Sequence, residues 1–300
     1  MPELPEVEMV RRTLEPLLVA RTIQRVRLLR RDVVRGPSTA RALLAGRPIG
    51  AILRHGKQLA IAAEPNGTGE GGLDGGPPCF CVHLGMSGSL RLFERGRGAL
   101  PEHSHVAWQL EGQKQLVFTD PRRFGGVWTF AHTETLEHRR WSRLGPDALL
   151  IQPRQLHRRL GQTRRAIKAA LLDQQLIAGL GNIYVDELLF TLGLHPLLAA
   201  NTLSLVELQK LIKHLRLLLR RAIASGGSTF RDYVDGTGKT GRFQKSHRVY
   251  GRAGQPCLRC GEMLQQAIVA GRSTVFCRRC QVRIRKLTPR HTHRSRTHVG

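Results

Sequence analysis

The sequence predicts an α+β chain of several domains: an N-terminal helix with a β-sandwich, then a helical region, then a small cysteine-rich module. Three observations carry this. Short strand-like segments punctuated by Gly, Pro and Asp fill the first half, helical periodicity takes over after Trp141, and four of the six cysteines form two C-x-x-C pairs near the end. Three hundred residues suffice for two or three domains that each bury a core, so size alone demands no staple.

From Glu6 to Leu18 the apolar positions Val7, Val10, Leu14, Leu17 and Leu18 recur at helical spacing, with Glu8, Arg11, Arg12 and Glu15 between them. The strand candidates are Thr22–Leu29, Pro48–His55, Gln58–Ala63, Cys79–Leu84, Ser89–Phe93, His105–Leu110, Gln115–Thr119 and Val127–Phe130, a spacing that suits a sandwich. Glu64 to Pro78 is mostly Gly and Pro and reads as a long hairpin loop. Helices are expected over Pro153–Leu160, Arg164–Asp173, Ile183–Leu192 and Ser204–Ala224. In the last, Leu205, Leu208, Leu211, Ile212, Leu215, Leu218 and Leu219 form a stripe opposite Lys210, Lys213, Arg216 and Arg220. Gly226 to Lys245 is a glycine-rich polar connection ahead of the cysteine module, Val249–Gln281.

Lys and Arg total 48 against 22 Asp and Glu, a formal +26 spread along the chain, which points to a polyanionic partner. A ribosomal-type or membrane-surface protein would share that charge, so motifs must decide. Leu205 to Leu219 is interrupted by Glu207, Lys210, Lys213, His214 and Arg216, so no membrane span is expected. MPELPEVEMV opens with acids where a secretory signal carries basic residues, and the chain reads as intracellular.

Cys257-Leu-Arg-Cys260 and Cys277-Arg-Arg-Cys280 flank a sixteen-residue insert rich in strand formers. Each knuckle can place two sulfurs on one side of an ion, and four thiolates suit tetrahedral Zn²⁺. With every position filled by protein there is no place for a reactive water, so one structural zinc per chain is expected, holding the insert hairpin rigid. Cys79 and Cys81 are left to pack in an apolar strand.

Proline at position 2 permits removal of Met1 and would leave a secondary amine at the chain end. Roughly a quarter of such α-amino groups are unprotonated at physiological pH, against about one in a thousand lysines, so this is the better-poised nucleophile for an aldehyde-like carbon. Glu3 and Glu6 lie within a turn of it. On composition alone the much stronger reading of Pro2, Pro5 and the acids is as ordinary helix-entry residues.

Five separated blocks shift that balance. MPELPEVE, His83-Leu-Gly-Met-Ser-Gly-Ser-Leu90, Thr119-Asp-Pro-Arg-Arg-Phe-Gly125, Ala178-Gly-Leu-Gly-Asn-Ile-Tyr184 and the C-terminal four-cysteine finger resemble, in order, formamidopyrimidine-DNA glycosylase, over essentially the whole chain to Gln281. The resemblance implies a glycosylase and abasic-site lyase that removes oxidised purines from duplex DNA. Its implied fold is an N-terminal catalytic helix and β-sandwich (1–135), a helix-two-turn-helix domain (136–226), a lesion-capping loop and linker (227–248), a C4 zinc finger (249–281) and a basic tail (282–300) expected to be disordered.

By the same resemblance Pro2 attacks C1′ to form a Schiff base, Glu3 moves protons, Glu6 orients, and Lys57 and Arg272 serve β- and δ-elimination. His103, Arg122, Arg164 and Asn182 contact DNA, while Met86, Arg122 and Phe124 fill the void behind a flipped nucleotide. From the residues alone, Lys57 reads as a solvated strand-edge lysine and Asn182 as a plain N-cap; Met86 and Phe124 beside strands would more often be core, but Gly-rich turns such as Leu84–Gly88 favour exposure. The chain departs from the family at the 64–78 insertion, at Gln58 where a tyrosine is commoner, and in the tail. Rival readings are an endonuclease VIII-like enzyme for oxidised pyrimidines, a non-catalytic damage sensor, and a zinc-ribbon transcription or ribosomal protein. Damaged duplex DNA is the expected partner of a cytoplasmic, nucleoid-associated monomer.

Overall fold

The computed structural model describes residues 2–65, 76–96, 98–229 and 233–282. Most of the 64–78 loop, the middle of the capping loop and the tail beyond 282 lie outside the described residues. Helix α1 (Leu4–Leu18) starts two residues before its apolar periodicity, because Pro5 suits a first helical turn and the Glu6 carboxylate turns back to accept the Glu3 N–H at 2.9 Å. Its buried stripe divides: Leu4 packs into the helical core, whereas Val7, Val10, Leu14 and Leu18 enter the sandwich core.

The strands are β1 (Ile23–Leu28), β2 (Val34–Arg35), β3 (Ile49–His55), β4 (Gln58–Ala63), β5 (Cys79–His83), β6 (Ser89–Glu94), β7 (Ser104–Leu110), β8 (Lys114–Thr119) and β9 (Gly126–Phe130). They form a four-stranded sheet in the order β1-β7-β8-β6 facing a five-stranded sheet in the order β2-β9-β5-β4-β3. Phe80 of β5 stacks on Trp108 of β7 at 4.7 Å between ring centroids, joining the sheets through the core. On the outer face of the larger sheet, Ala60, Ala62, Cys79 and Cys81 are covered by Leu136 of α2 (Thr133–Arg139) and by Trp141; both cysteines are free thiols.

The helical domain comprises α3 (Pro153–Gly161), α4 (Ile167–Leu172), α5 (Asn182–Leu192) and α6 (Leu205–Ala224). The helix expected over Arg164–Asp173 is shorter than its periodicity suggests. Thr163 Oγ1 accepts the Arg165 backbone N–H at 3.2 Å and Ala166 bridges to Ala199, so the chain is committed elsewhere until Ile167. Helix α5 is buried on every side from Ile183 to Phe190 and ends where Gly193 adopts a left-handed conformation. The cysteine module adds the hairpin β10 (Gln265–Val269) and β11 (Arg272–Phe276), turning through Ala270 and Gly271, both at positive φ. Among the described residues no helix is long and apolar enough to cross a membrane.

The sandwich and helical domains are joined through one buried guanidinium. Arg54 donates to Glu8 at 2.9 Å and to Asp147 at 2.5 Å, and Asp147 also accepts the Gly56 N–H at 2.9 Å. Burial alone would raise the Glu8 carboxyl, yet bonds from Arg11, Arg12 and Arg54 hold it down at about 2. A carboxyl whose folded value lies below its unfolded one stabilises the protein above the unfolded value and loses that contribution as pH falls. We expect Glu8 to contribute about 3 kcal/mol above pH 4.5, declining towards pH 2. Urea unfolding of wild type and Glu8→Gln should differ most at neutral pH and converge in acid; a constant difference would refute the linkage.

Candidate active site and DNA-facing cleft

Helix α5 has Gly181 at its N-cap, a residue with no side chain to satisfy the first backbone N–H groups. The cap comes from another element. The Glu3 carboxylate accepts from Ile183 N at 2.9 Å and Tyr184 N at 3.5 Å. A Cβ on Gly181 would lie 2.3 Å from the Glu3 carboxyl carbon, and one on Gly179 would lie 2.5 Å from Leu4 Cδ1, so both positions must be bare. Leu4 N donates to Gly179 O at 3.0 Å, completing the dock. Two motifs far apart in sequence, PELPE and AGLGN, are thus the two halves of one contact.

Pro2, Glu3 and Glu6 are all buried there. Burial, reinforced by Glu6, pushes the Glu3 carboxyl up to about 7 against the opposing pull of Lys57 and the two helix N–H groups. Glu6 accepts Tyr184 Oη at 2.5 Å, Ser228 N at 2.8 Å and Glu3 N at 2.9 Å, and burial raises its carboxyl also.

Lys57 is not the solvated strand-edge lysine that its local sequence suggests: it is 7 % exposed. It follows Gly56, at φ +56°, in a turn pressed so closely on Ala178 that a Gly56 Cβ would lie 2.8 Å from the alanine methyl. Burial lowers the Lys57 ammonium, with Arg272 adding to the effect and Glu3 and Glu6 opposing it. His83, which sequence reasoning left without a role, lies half-buried nearby; desolvation, with Arg140 and Lys57, holds it down at about 4, so it is neutral near pH 7.

A cavity of about 580 Å³ gathers Glu3, Lys57, Met86, Asn182 and Arg272 with Tyr250. Arg272 arrives on the β10–β11 hairpin, which is fixed to the helical domain by three hydrogen bonds, two of them to groups of a buried ion pair. Lys168 Nζ and Asn182 Nδ2 donate to Ser273 O at 3.3 and 2.8 Å, Val275 N donates to Asp186 at 3.2 Å, and Lys168 pairs with Asp186 at 2.6 Å. Arg165 lines the cavity, paired with Asp173 at 2.9 Å, whereas Arg164 is exposed and is not part of the lining. No spacing rule distinguishes these adjacent arginines; only the turn before α4 does.

Met86 and Phe124 are 43 % and 56 % exposed rather than core, on two loops stapled by Asp120. Ser87 Oγ and Gly125 N each donate to that carboxylate at 2.7 Å, and the Arg122 guanidinium sits 4.7 Å over the Phe124 ring. His103 is exposed on the neighbouring turn at φ +59°, its carbonyl accepting Asp120 N. Asp120 and Tyr184 stand inside two of the motif blocks and Ser228 inside the capping loop, but none of them was given a role, and Lys168 carried no signal, because what marks each is a partner distant in the chain.

The four finger sulfurs lie within 4.8 Å of one another, with Cys257–Cys280 at 3.9 Å and Cys260–Cys277 at 3.5 Å. Zinc–thiolate bonds of about 2.3 Å at tetrahedral angles place sulfurs roughly 3.8 Å apart, so the set fits the ion. Backbone N–H groups of Arg259 and Cys280 point at Cys257 and Cys277 sulfurs at 3.4 Å, as a knuckle requires.

Comparison with known proteins agrees across the chain. Residues 1–127 match the formamidopyrimidine-DNA glycosylase N-terminal domain, 144–234 the H2TH domain of the same enzymes, and 254–282 the zinc finger found in FPG and IleRS. The formamidopyrimidine-DNA glycosylase of Desulfitobacterium hafniense is 40% identical over 287 residues, covering 94% of this chain and 100% of that protein. That of Thermomicrobium roseum is 42% identical over 306 residues, with 94% and 99% covered. Among solved structures, MutM (FPG) from Thermus thermophilus superposes with a TM-score of 0.79 at 39% identity, covering 93% of this chain and 98% of that one. The Lactococcus lactis FPG complex with a Fapy-dG containing DNA gives 0.82 at 33%, covering 94% and 100%.

The finger therefore carries one structural Zn²⁺ on Cys257, Cys260, Cys277 and Cys280. Its small core, built from Phe190, Val249, Leu264 and Val275 with two of the cysteines, is separate from the helical one. Metal analysis should give one zinc per chain. Chelation should release the hairpin and weaken DNA binding at least about tenfold while far-UV helicity persists; undiminished binding by zinc-free protein would contradict that role.

Proposed function

The chain belongs to the formamidopyrimidine-DNA glycosylase family, and from that premise we propose that it excises oxidised purines, 8-oxoguanine and formamidopyrimidines, from duplex DNA and cuts the strand at the site. The observation that carries this reading is the buried Pro2–Glu3 terminus at the head of α5, sharing one cavity with Lys57 and Arg272. As a base-excision repair glycosylase and lyase it acts on DNA, in this reading as a monomer in the cytoplasm on nucleoid DNA.

With Met1 removed, the Pro2 amine attacks C1′ of the extruded nucleotide. The base departs with the glycosidic electron pair, and opening of the sugar ring leaves an iminium between Pro2 and C1′. Glu3, at about 7, is divided between acid and base near neutrality, which suits a group that must give a proton to the ring oxygen and later take one back. Glu6 orients the terminus through its bond to Glu3 N. Lys57, buried and with its ammonium lowered, supports β-elimination, and the planar fork of Arg272 grips a phosphate for the δ step. Asn182 at the start of α5 and the basic groups His103 and Arg122 hold the backbone, with Arg165 added to or replacing Arg164 on the strength of its place in the cavity. Met86, Phe124 and Arg122 occupy the vacated stack.

Borohydride trapping on a duplex with 8-oxoguanine opposite cytosine should yield a covalent adduct mapping to the N-terminal peptide. Pro2→Gly and Glu3→Gln should each lower trapping at least about a hundredfold. An adduct formed only with oxidised pyrimidines would favour the endonuclease VIII-like reading, and tight lesion binding with no adduct from protein lacking Met1 would favour a damage sensor.

Salt provides an independent check. About six phosphate contacts give a log–log slope of affinity on salt of roughly −5, with Arg122→Ala or Arg165→Ala reducing it by about one each. A nearly flat titration would sink the phosphate-gripping role.

A further inference from the structure

Glu6 lies at one end of a buried chain of hydrogen bonds that leaves the active site and ends on a histidine outside it. Tyr184 Oη donates to Glu6 Oε1 at 2.5 Å; Ser228 Oγ lies 3.4 Å from that phenolic oxygen; His247 Nε2 lies 3.1 Å from Ser228 Oγ. All four side chains are at most 5 % exposed, and they come from three separate stretches of chain: α1, α5 and the segment linking α6 to the finger. His247 is held edge-on to Phe243 and Tyr250, at 5.6 and 5.8 Å between centroids, so its ring plane is set by packing.

We propose that His247 is a positioning residue for the lyase reaction, donating from Nε2 to the Ser228 hydroxyl and so aligning Ser228 and Tyr184 as successive donors onto the Glu6 carboxylate beside the nucleophile. This rests on the enzymatic function proposed above. The geometry gives the chain a direction. Each hydroxyl carries a single proton, and Tyr184 commits its own to Glu6. The Ser228 proton then goes either to Tyr184 or to His247, and a proton on His247 Nε2 settles it on Tyr184. Burial holds His247 down at about 4, so the ring is neutral near pH 7, and its Nε2–H tautomer is the one that makes this bond.

The consequence falls on Glu6. Burial favours its neutral form, while the donors from Tyr184, Ser228 N and Glu3 N favour the carboxylate. The ionised form helps the Pro2 nitrogen carry the positive charge of the iminium. The other ionisable groups facing Glu6 are Glu3 on α1, Lys57 on the β3–β4 turn, Tyr184 on α5, and Tyr233, whose hydroxyl donates to Glu6 O at 3.2 Å; all remain when His247 changes. Loss of the aligned donor should let Glu6 take up a proton at higher pH.

The experiment is the pH profile of single-turnover borohydride trapping on the 8-oxoguanine duplex with zinc-loaded full-length protein. His247→Leu should raise the acid limb by about half a pH unit, roughly a threefold loss of rate on that limb, with little change on the plateau. His247→Gln, whose amide N–H can donate in the same place, should stay near wild type. Ser228→Ala, which keeps the backbone donor to Glu6, should reproduce the leucine shift, and the double variant should add nothing further. An unmoved limb in His247→Leu, equal shifts in the leucine and glutamine variants, or additive shifts in the double variant would overturn the proposal. If the leucine variant does not fold, a Ser228→Ala limb coincident with wild type overturns it instead. Absence of trapping by the wild type at any pH would overturn the function itself, an outcome separate from these.

Discussion

Everything at the site depends on one contact, the Glu3 carboxylate seated on the bare N-terminus of α5. Burying a carboxylate is costly, and the positive end of a helix with unsatisfied N–H groups is among the few protein environments that offset the cost without a cation in direct contact. Here the nearby charge of Lys57 and then the two helix N–H groups offset burial incompletely, which leaves Glu3 at about 7 rather than at an ordinary carboxylate value. That imperfection is useful, because a fully satisfied Glu3 would be a permanent anion and an unsatisfied one a permanent acid. The same contact fixes the position of Pro2. Leu4 is clamped to Gly179 and Glu3 to α5, so Pro2 can occupy only the space beside them.

The three units meet through polar groups more than through shared apolar core. Arg54, Glu8 and Asp147 tie the sandwich to the helical domain, Lys168 and Asp186 tie that domain to the β10–β11 hairpin, and Glu187 accepts the consecutive N–H groups of Arg248, Val249 and Tyr250 at the entry to the finger. Buried ion pairs of this kind contribute little net stability relative to apolar packing of similar volume. What they supply is register, since each has one geometry that satisfies its hydrogen bonds. That matters where Lys57 and Arg272, on turns of different domains, must face the same small cavity.

How much could be read in advance follows from the range of the determining interactions. The α1 stripe, the sandwich strands, the long α6 and the finger were legible because each is fixed by neighbours a few residues away. The site residues in the five motif blocks were legible only as a pattern, and local composition misjudged several of them. Lys57 resembles a solvated lysine until Ala178 and Asp147 close over its turn; Met86 and Phe124 resemble core until Asp120 holds their loops outward. Arg164 and Arg165 are indistinguishable until Thr163 diverts the chain ahead of α4. Tyr184 and Ser228 fell within a motif block and the capping loop but without a role, and His247 had no signal, since nothing about a serine after two glycines announces a glutamate more than two hundred residues away.

The exposed wedge residues show the same logic from the opposite side. Leaving Met86 and Phe124 half in water forgoes burial that would stabilise the free protein by about 1 kcal/mol for each side chain. The structure limits that loss by stacking Arg122 over the Phe124 ring and by closing the two loops against each other so tightly that a Cβ on Gly85 would lie 2.4 Å from Gly125 N. The two loops are therefore braced against each other in the free protein, and in the void-filling role proposed above little loop entropy would remain to be lost on entering the stack. In that role, stability forgone in the free protein would be recovered when a nucleotide leaves the duplex, where unstacking costs a few kcal/mol. An unbraced pair of loops would spend that recovered energy on its own ordering, which ties the staple at Asp120 to the proposed role of the side chains it supports.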